Sequence, residues 1–262
     1  MSELARLEVD GLVARLAINR PEQRNALSID LLDALHARLG ELERAFAERP
    51  DAGPRVLVLR GEGRAFCAGM DLKQVLVAEE HGGSGDRSLP LQLLEGLARL
   101  TVRLRRLPCV VIAHVNGPAI GGGCGLSCVC DLSVTHAENK VGFPEVDLGL
   151  CPAVVAPWVV RKLGAGRARA VLLRGGIMTG RAAHALGMFD LLGETPEEAA
   201  ALVEELADRV KEDGPRALAA TKGLLNDLDG STDEDLVLRG AKLSAEVLLT
   251  DEAQRRLAAS RR

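Results

Sequence analysis

The sequence predicts an α/β protein, and three features of the chain lead to that class. Short apolar runs rich in β-branched residues, at 56–60 and 109–113, have the length and composition of buried strands. Each run leads through a glycine-containing turn into a segment expected to be helical. From residue 152 onward the chain is expected to be helical, with glycines separating the segments. Strands followed by helices, and then helices alone, indicate an α/β core with a helical C-terminal region.

The first ninety residues predict a hairpin, a long helix and a polar insert. Residues 4–9 and 12–18 alternate apolar and polar side chains around an Asp-Gly turn, which is typical of a β-hairpin. Apolar residues recur at helical spacing over 29–47, and Ser28 or Asp30 can cap that helix. Residues 78–90 are polar and rich in glycine, so they form either a surface loop or a lid over a pocket.

Composition excludes several functional classes. The 262 residues suit one large domain, or one domain with an appendage. A formal net charge of -4, with 2% aromatic residues and no Tyr, argues against a nucleic-acid partner. No basic segment followed by an apolar one begins the chain, and no apolar run approaches the ~20 residues of a membrane span. We therefore expect a cytoplasmic protein without a membrane partner.

Six cysteines raise the question of a metal site. Cys124, Cys128 and Cys130 lie close together, with His136 just beyond them. Their spacing lacks a C-x-x-C pair and their surroundings are apolar, so we interpret them as small core residues. No metal and no disulfide is expected.

The most informative stretch runs from Asn116 to Leu126 and contains three consecutive glycines, Gly121-Gly122-Gly123. It joins the second apolar run to a small, apolar segment expected to be a buried helix. Glycines at such a junction let another group approach bare peptide N–H groups, and the N-terminus of a helix favours negative charge. A tight packing turn is the alternative explanation for a glycine run alone.

A second stretch of the same kind favours a functional explanation. The first apolar run leads into residues 61–72, where Gly69 precedes Met70, and Asp71 can cap a following helix. Two such turns can aim two N–H groups at one oxygen. That arrangement is an oxyanion hole, which stabilises a carbonyl that gains negative charge in a transition state.

Together these segments resemble the crotonase superfamily, the enoyl-CoA hydratase/isomerase family. The matches occur in the family's order and cover nearly the whole chain: 19–21, 25–28, 65–72, 116–131, 144–145, 179–187 and 215–222. The resemblance implies the ClpP/crotonase-type fold, with stacked ββα turns forming a core over 1–195. It also implies a C-terminal helical region over 196–262 that takes part in oligomerisation, as a homotrimer or a dimer of trimers.

The resemblance also implies a set of catalytic groups. The backbone N–H groups of Met70 and Gly122 would hold the thioester carbonyl of an acyl-CoA, and Glu145 would be the acid/base. The typical hydratase has a second glutamate two residues after the triple glycine, where this chain has Gly125. With Gly125, the chain looks like bacterial methylglutaconyl-CoA hydratases. Gly125 is therefore expected to leave room for a substituent or a carboxylate of the substrate.

Several functions remain open after this departure. A hydro-lyase acting on a branched or carboxylated enoyl-CoA is favoured, with Glu145 alone or helped by Asp147, Glu95 or Arg87. The alternatives are an enoyl-CoA isomerase that uses Glu145 alone, and a non-catalytic acyl-CoA-binding protein. The resemblance implies no cofactor, since CoA arrives with the substrate. By position, the residues expected near the CoA are Arg24, Ala26, Leu27, Arg64, Ala68 and Lys73.

Overall fold

The computed structural model of the chain describes residues 3–75 and 88–259, and nine strands and ten α-helices occupy these ranges, with short 3-10 helices at Pro21–Gln23 and Val146–Leu148. The strands are β1 (Ala5–Asp10), β2 (Val13–Ile18), β3 (Val56–Gly61), β4 (Val110–Val115), β5 (Ala119–Ile120), β6 (Leu132–His136), β7 (Lys140–Gly142), β8 (Ile177–Thr179) and β9 (Leu191–Gly193). The helices are α1 (Ile29–Glu48), α2 (Leu72–Val75), α3 (Leu89–Arg106), α4 (Gly122–Val129), α5 (Ala156–Arg174), α6 (Gly180–Ala185), α7 (Pro196–Lys211), α8 (Pro215–Asp229), α9 (Glu234–Leu248) and α10 (Asp251–Ala259).

Two sheets organise the chain. The larger has the strand order β1-β2-β3-β4-β6-β9, in which β1 pairs antiparallel and every later pair is parallel. The smaller has the order β5-β7-β8. Parallel neighbours need crossover connections, and α1, α3 and α4 supply them between successive strands of the larger sheet. The α/β class is thereby confirmed.

Both faces of the larger sheet are buried, which explains the continuous apolar run in β3. Leu57 and Leu59 face the main core together with α1 and α3. Val56 and Val58 face the opposite side, where α7 packs against them. This helix begins at Pro196 and covers the sheet directly. The division of the chain into a core and a helical region at 195/196 stays a prediction.

Several local predictions are confirmed. The hairpin forms as β1 and β2, with Gly11 at φ 56° in its turn. Helix α1 begins after Ser28, whose Oγ accepts a hydrogen bond from the backbone N of Leu31 at 3.2 Å. All six cysteines are free, and all but Cys151 are buried. The five buried cysteines therefore serve as core residues, as their apolar context indicates.

The prediction of an entirely helical chain after residue 152 is wrong. Strands β8 and β9 each contain three residues, and they pair with β7 and β6 respectively. Strands this short leave no readable period, so only their partners reveal them. Gly164 is one of the glycines predicted to separate helical segments; it instead lies at a kink inside α5, with φ 75°. Most of the polar insert at 78–90 lies outside the described residues.

Helix α8 has an unusual distribution of side chains. Its two buried residues are polar, Lys222 and Asn226, and the Lys222 ammonium donates to the Asp131 carboxylate at 2.7 Å. Leu225 and Leu228 are 56% and 75% exposed. The helix is thus attached through polar contacts and turns apolar side chains outward.

No helix of the described ranges is long and apolar enough to cross a membrane.

Candidate active site

The turn that follows β3 is held in place by the segment after β2. The Arg20 guanidinium donates to the carbonyl of Ala26 at 3.0 Å and to the Asp71 carboxylate at 2.7 Å. The Asn25 side-chain amide donates to the carbonyl of Ala65 at 2.7 Å. Asn25 is fully buried with φ 57°, a conformation that asparagine tolerates better than most residues. These contacts fix the position of the turn after β3 relative to the segment after β2.

The glycine turn after β4 lies directly against this first turn. The backbone N of Cys67 donates to the carbonyl of Pro118 at 3.1 Å, and the backbone N of Ile120 donates to the carbonyl of Cys67 at 3.0 Å. A Cβ on Gly123 would lie 2.2 Å from the Cys67 carbonyl oxygen. Only glycine permits so close an approach, so the triple glycine brings the two turns together.

Two residues of these turns, Met70 and Gly122, line one cavity and have backbone N–H groups that could bind a ligand there. Leu27 bridges the first turn: its N donates to the carbonyl of Gly69 at 2.7 Å, and its carbonyl accepts from the N of Asp71 at 2.9 Å. Within the described residues this leaves the N–H of Met70, which lies between them, without an acceptor. Gly122 is the first residue of α4, where an N–H has no acceptor inside the helix. The positive end of the helix dipole adds to its attraction for negative charge.

The cavity has a volume of about 210 Å³ and is lined mostly by apolar side chains. Met70, Gly122 and Glu145 all line it, so the structure brings the three predicted catalytic residues together. Its apolar wall includes residues of α3, the 145–155 segment and α9: Leu93, Leu97, Leu148, Leu150, Val155 and Leu248. The sequence does not indicate that these apolar side chains line a cavity, because in the sequence they look the same as core residues.

Glu145 is the main charged group of this cavity. A Cβ on Gly121 would lie 2.8 Å from Glu145 Oε1, which places the carboxyl group against the glycine turn. Its Oε2 is buried and has no hydrogen-bond partner in residues 3–75 and 88–259. Burial, reinforced by the negative charge of Asp147, raises the pKa of the Glu145 carboxyl to about 7. A carboxyl group with such a pKa is suited to give and take protons near neutral pH.

Comparison with known proteins identifies the family. The family model described as enoyl-CoA hydratase/isomerase matches residues 8–245 of this chain. The chain belongs to the enoyl-CoA hydratase/isomerase family. It is therefore a member of the crotonase superfamily and an enzyme of this family, as its sequence motifs indicate.

Relatives of this enoyl-CoA hydratase/isomerase family support the assignment. A Thermus thermophilus protein assigned to the enoyl-CoA hydratases is 38% identical over 228 residues, covering 86% of this chain and 85% of the relative. A Mycosarcoma maydis protein named enoyl-CoA isomerase/hydratase is 33% identical over 234 residues, covering 84% and 81%. The crystal structure of an enoyl-CoA hydratase from Mycobacterium avium has a TM-score of 0.83 at 28% identity, covering 99% and 96%. The crotonase fold is thereby confirmed.

Gly125, the departure from the family's hydratase pattern, lies beside Val155. A Cβ on Gly125 would lie 2.1 Å from Val155 Cγ1 and 2.6 Å from Val155 Cβ. The expectation that Gly125 leaves room for part of the substrate is therefore wrong. The space next to it is filled by a valine side chain, which belongs to the cavity wall. Glycine at position 125 thus allows the Val155 side chain of the same protein to pack against α4.

The two predicted helpers of Glu145 that the structure describes, Asp147 and Glu95, are not at the cavity wall. Asp147 is exposed, Glu95 does not line the cavity, and Arg87 lies outside the described residues. The structure instead places two polar side chains in the wall that sequence reasoning missed, Cys151 and Ser244. Burial raises the pKa of the Cys151 thiol, which keeps it protonated at neutral pH. Ser244 could have been identified in the sequence as a polar residue on the otherwise apolar face of α9.

The residues predicted to contact CoA occupy different environments. Arg24, Arg64 and Lys73 are exposed, and Ala68 lines the cavity. The carbonyl of Arg24 accepts from the N of Ala68 at 3.0 Å, which ties the first arginine to the cavity rim. Ala26 is half-buried, whereas Leu27 is completely buried in the core, so its side chain is closed to a ligand. Residues 3–75 and 88–259 contain no cluster of His, Cys, Asp and Glu arranged to hold a metal ion.

Proposed function

We propose that the protein is an enoyl-CoA hydratase-like lyase, which adds water across the α,β double bond of an acyl-CoA thioester. The observation that carries this proposal is the Glu145 carboxyl group, whose buried Oε2 has no partner among the described residues, in a cavity that Met70 and Gly122 also line. The backbone N–H groups of Met70 and Gly122 would donate hydrogen bonds to the thioester oxygen. The same arrangement serves the reverse reaction, the loss of water.

The proposed chemistry needs only one carboxyl group. The two N–H groups withdraw electrons from the thioester and make its β carbon electrophilic; one such donor is typically worth about 3 kcal/mol in the transition state. Glu145, in its carboxylate form, takes a proton from water as the hydroxyl bonds to the β carbon. The enolate oxygen stays between Met70 and Gly122. Glu145 then returns the proton to the α carbon, which regenerates its carboxylate.

An isomerase is the second candidate, because one base can also move a proton between two carbons of an enoyl chain. Glu145 would remove a proton from the γ carbon and the same carboxyl group would return it to the α carbon. The relative from Mycosarcoma maydis is named for both reactions. A third candidate is a protein that binds acyl-CoA without turning it over, although a carboxyl pKa of about 7 favours proton transfer.

The charge of the cavity bears on the acyl group of the substrate. Among the described residues that line it, none is positively charged, and Glu145 is acidic. A carboxylate on the acyl chain would lose water without gaining a partner there, and Glu145 would repel it. These features support a linear or branched uncharged acyl group over a carboxylated one.

A small panel of enoyl-CoAs tests the reaction and the charge together. We expect hydration of crotonyl-CoA and of 5-methylhex-2-enoyl-CoA, with kcat/KM for the latter at least about tenfold above that for glutaconyl-CoA, whose carboxylate has nearly the shape of the isopropyl group it replaces. Hydration and double-bond migration are followed separately by chromatography. Migration alone would select the isomerase, and binding without either reaction would select the binding protein. A preference for glutaconyl-CoA would overturn the proposal that the acyl group of the substrate is uncharged.

We also propose that the protein assembles as a homotrimer or a dimer of trimers, with the outward apolar face of α8 against a second copy. Leu224, Leu225 and Leu228 form that face, and all three are more than half exposed. A contiguous exposed apolar patch is typical of an interaction surface.

Light scattering after size-exclusion chromatography is expected to give the mass of three or six chains at micromolar concentration. Leu228→Glu places a charge in the proposed contact, so we expect it to lower that mass. Val9→Glu is the matched control, because Val9 is also more than half exposed but lies on β1. A monomeric wild-type protein would contradict the assembly.

A further inference from the structure

Two apolar cavities share one short segment in their linings. The inner cavity is the acyl site, and the outer one is a groove of about 700 Å³ with Val160, Leu236 and Leu243 in its lining. Cys151 and Pro152 line both. The segment 151–153 is therefore the wall that separates the end of the acyl site from a second apolar space.

Ser244 holds that wall in place. Its hydroxyl donates to the carbonyl of Cys151 at 2.7 Å and accepts from the backbone N of Ala153 at 3.1 Å. The Ser244 side chain is 5% exposed and lines the inner cavity. One turn earlier on α9, a Cβ on Gly240 would lie 2.5 Å from the Ala153 carbonyl oxygen, so the helix backbone rests directly on the same segment.

The two hydrogen bonds make the closed position of the wall specific. The Ala153 N–H also lies against the Cys151 sulfur, whereas Ser244 is the one partner of the Cys151 carbonyl within the described residues. Loss of the hydroxyl would leave the Cys151 carbonyl unsatisfied at a partly buried place and the Ala153 N–H with only the weakly accepting sulfur, which favours movement of the segment toward water. Ser244 thus controls a piece of backbone without touching the reacting atoms.

We propose that Ser244 is a positioning residue that sets the longest acyl chain the enzyme accepts, by fixing the 151–153 wall at the end of the acyl site. This inference rests on the proposed acyl-CoA function and adds the chain-length limit to it. A chain that ends before the wall is buried completely. A longer chain meets the wall and gains access to the outer groove only if the segment moves.

Saturated acyl-CoAs of increasing length test this limit by calorimetry, because they bind without reacting. In the wild type we expect Kd to fall roughly fourfold for each added methylene until the chain reaches the wall, and then to stop falling. Ser244→Ala is expected to move that break to longer chains. For a chain at least two carbons beyond the wild-type break, it should bind at least about tenfold more tightly than the wild type does, with Kd for butyryl-CoA within twofold.

Thr195→Ala is the matched control, since the Thr195 hydroxyl also accepts one backbone hydrogen bond but caps α7, remote from the cavity. It is expected to lower Tm without moving the break. Ser244→Cys keeps the side-chain shape with a weak hydrogen-bonding group, so it provides a second variant with the same direction of change if Ser244→Ala does not fold. An unchanged break, or a wild type with no break, would overturn the role of Ser244. Failure of every acyl-CoA to bind would instead overturn the proposed function.

Discussion

Glu145→Gln is expected to lower kcat on enoyl-CoA substrates by about 10²–10⁴, the range typical for the loss of a general acid/base. The amide has the shape of the carboxyl group but does not take a proton from water. Binding is expected to change little, so Kd for a saturated acyl-CoA should stay within about threefold of the wild-type value. Stopped-flow kinetics and calorimetry on the same preparations separate the two effects.

The pH dependence of the wild type connects this effect to the same carboxyl group. Because Glu145 must start as a carboxylate, kcat/KM is expected to rise with pH and to level off above the pKa of about 7. Asp147→Asn removes a negative charge that raises this pKa, so the inflection should move to lower pH.

Glu95→Gln is the matched control for this pair of measurements, because Glu95 lies on α3 next to cavity residues without lining the cavity. It is expected to keep both kcat and the pH profile of the wild type. A Glu145→Gln protein with kcat within threefold of the wild type would remove Glu145 from the mechanism.

The second large effect is expected at Gly125. Gly125→Glu places a Cβ where Val155 already lies, at 2.1 Å from its Cγ1, and adds a carboxyl group to a buried position. Overpacking and the burial of this carboxyl group together are expected to destabilise the fold by at least about 3 kcal/mol, which lowers Tm by roughly 6–12 °C. No gain in hydration of crotonyl-CoA is expected, although the substitution restores the glutamate found in typical hydratases.

The double variant Gly125→Glu with Val155→Gly tests the cause. Removal of the valine side chain clears both contacts, so Tm is expected to be at least about 4 °C above that of Gly125→Glu alone. Val155→Gly alone serves as the control for the loss of the valine. If Gly125→Glu kept the wild-type Tm and hydrated crotonyl-CoA faster, the claim that Val155 requires a glycine at position 125 would be contradicted.

Much of the fold was predictable because its signals are local. Ser28 marks the start of a helix by its own hydrogen bond, and the Asp-Gly turn marks the hairpin. The continuous apolar run of β3 indicates a strand buried on both faces. Strands β8 and β9 were not predicted, because each contains only three residues and is extended through its pairing with a neighbouring strand.

The site was predictable where motifs carry it and not where packing does. The two glycine turns and Glu145 each have a sequence signature, and the structure places them around one cavity. That Val155 fills the space beside Gly125 depends on the approach of two segments thirty residues apart in the chain, which no local pattern reports. The clamp that Ser244 forms on the 151–153 segment is likewise a contact between distant segments.

The burial of the Glu145 carboxyl group, whose Oε2 has no partner among the described residues, serves catalysis at a cost in stability. An unfolded chain would titrate this group at its ordinary value of 4.5, whereas the folded chain holds the pKa at about 7. The folded state therefore binds the proton more tightly, and its stability declines as pH rises from 4.5 to 7 by roughly 3 kcal/mol from this group alone. Above pH 7 that whole penalty persists. The enzyme is thus at its least stable, as far as Glu145 is concerned, in the pH range where its base is ready to act.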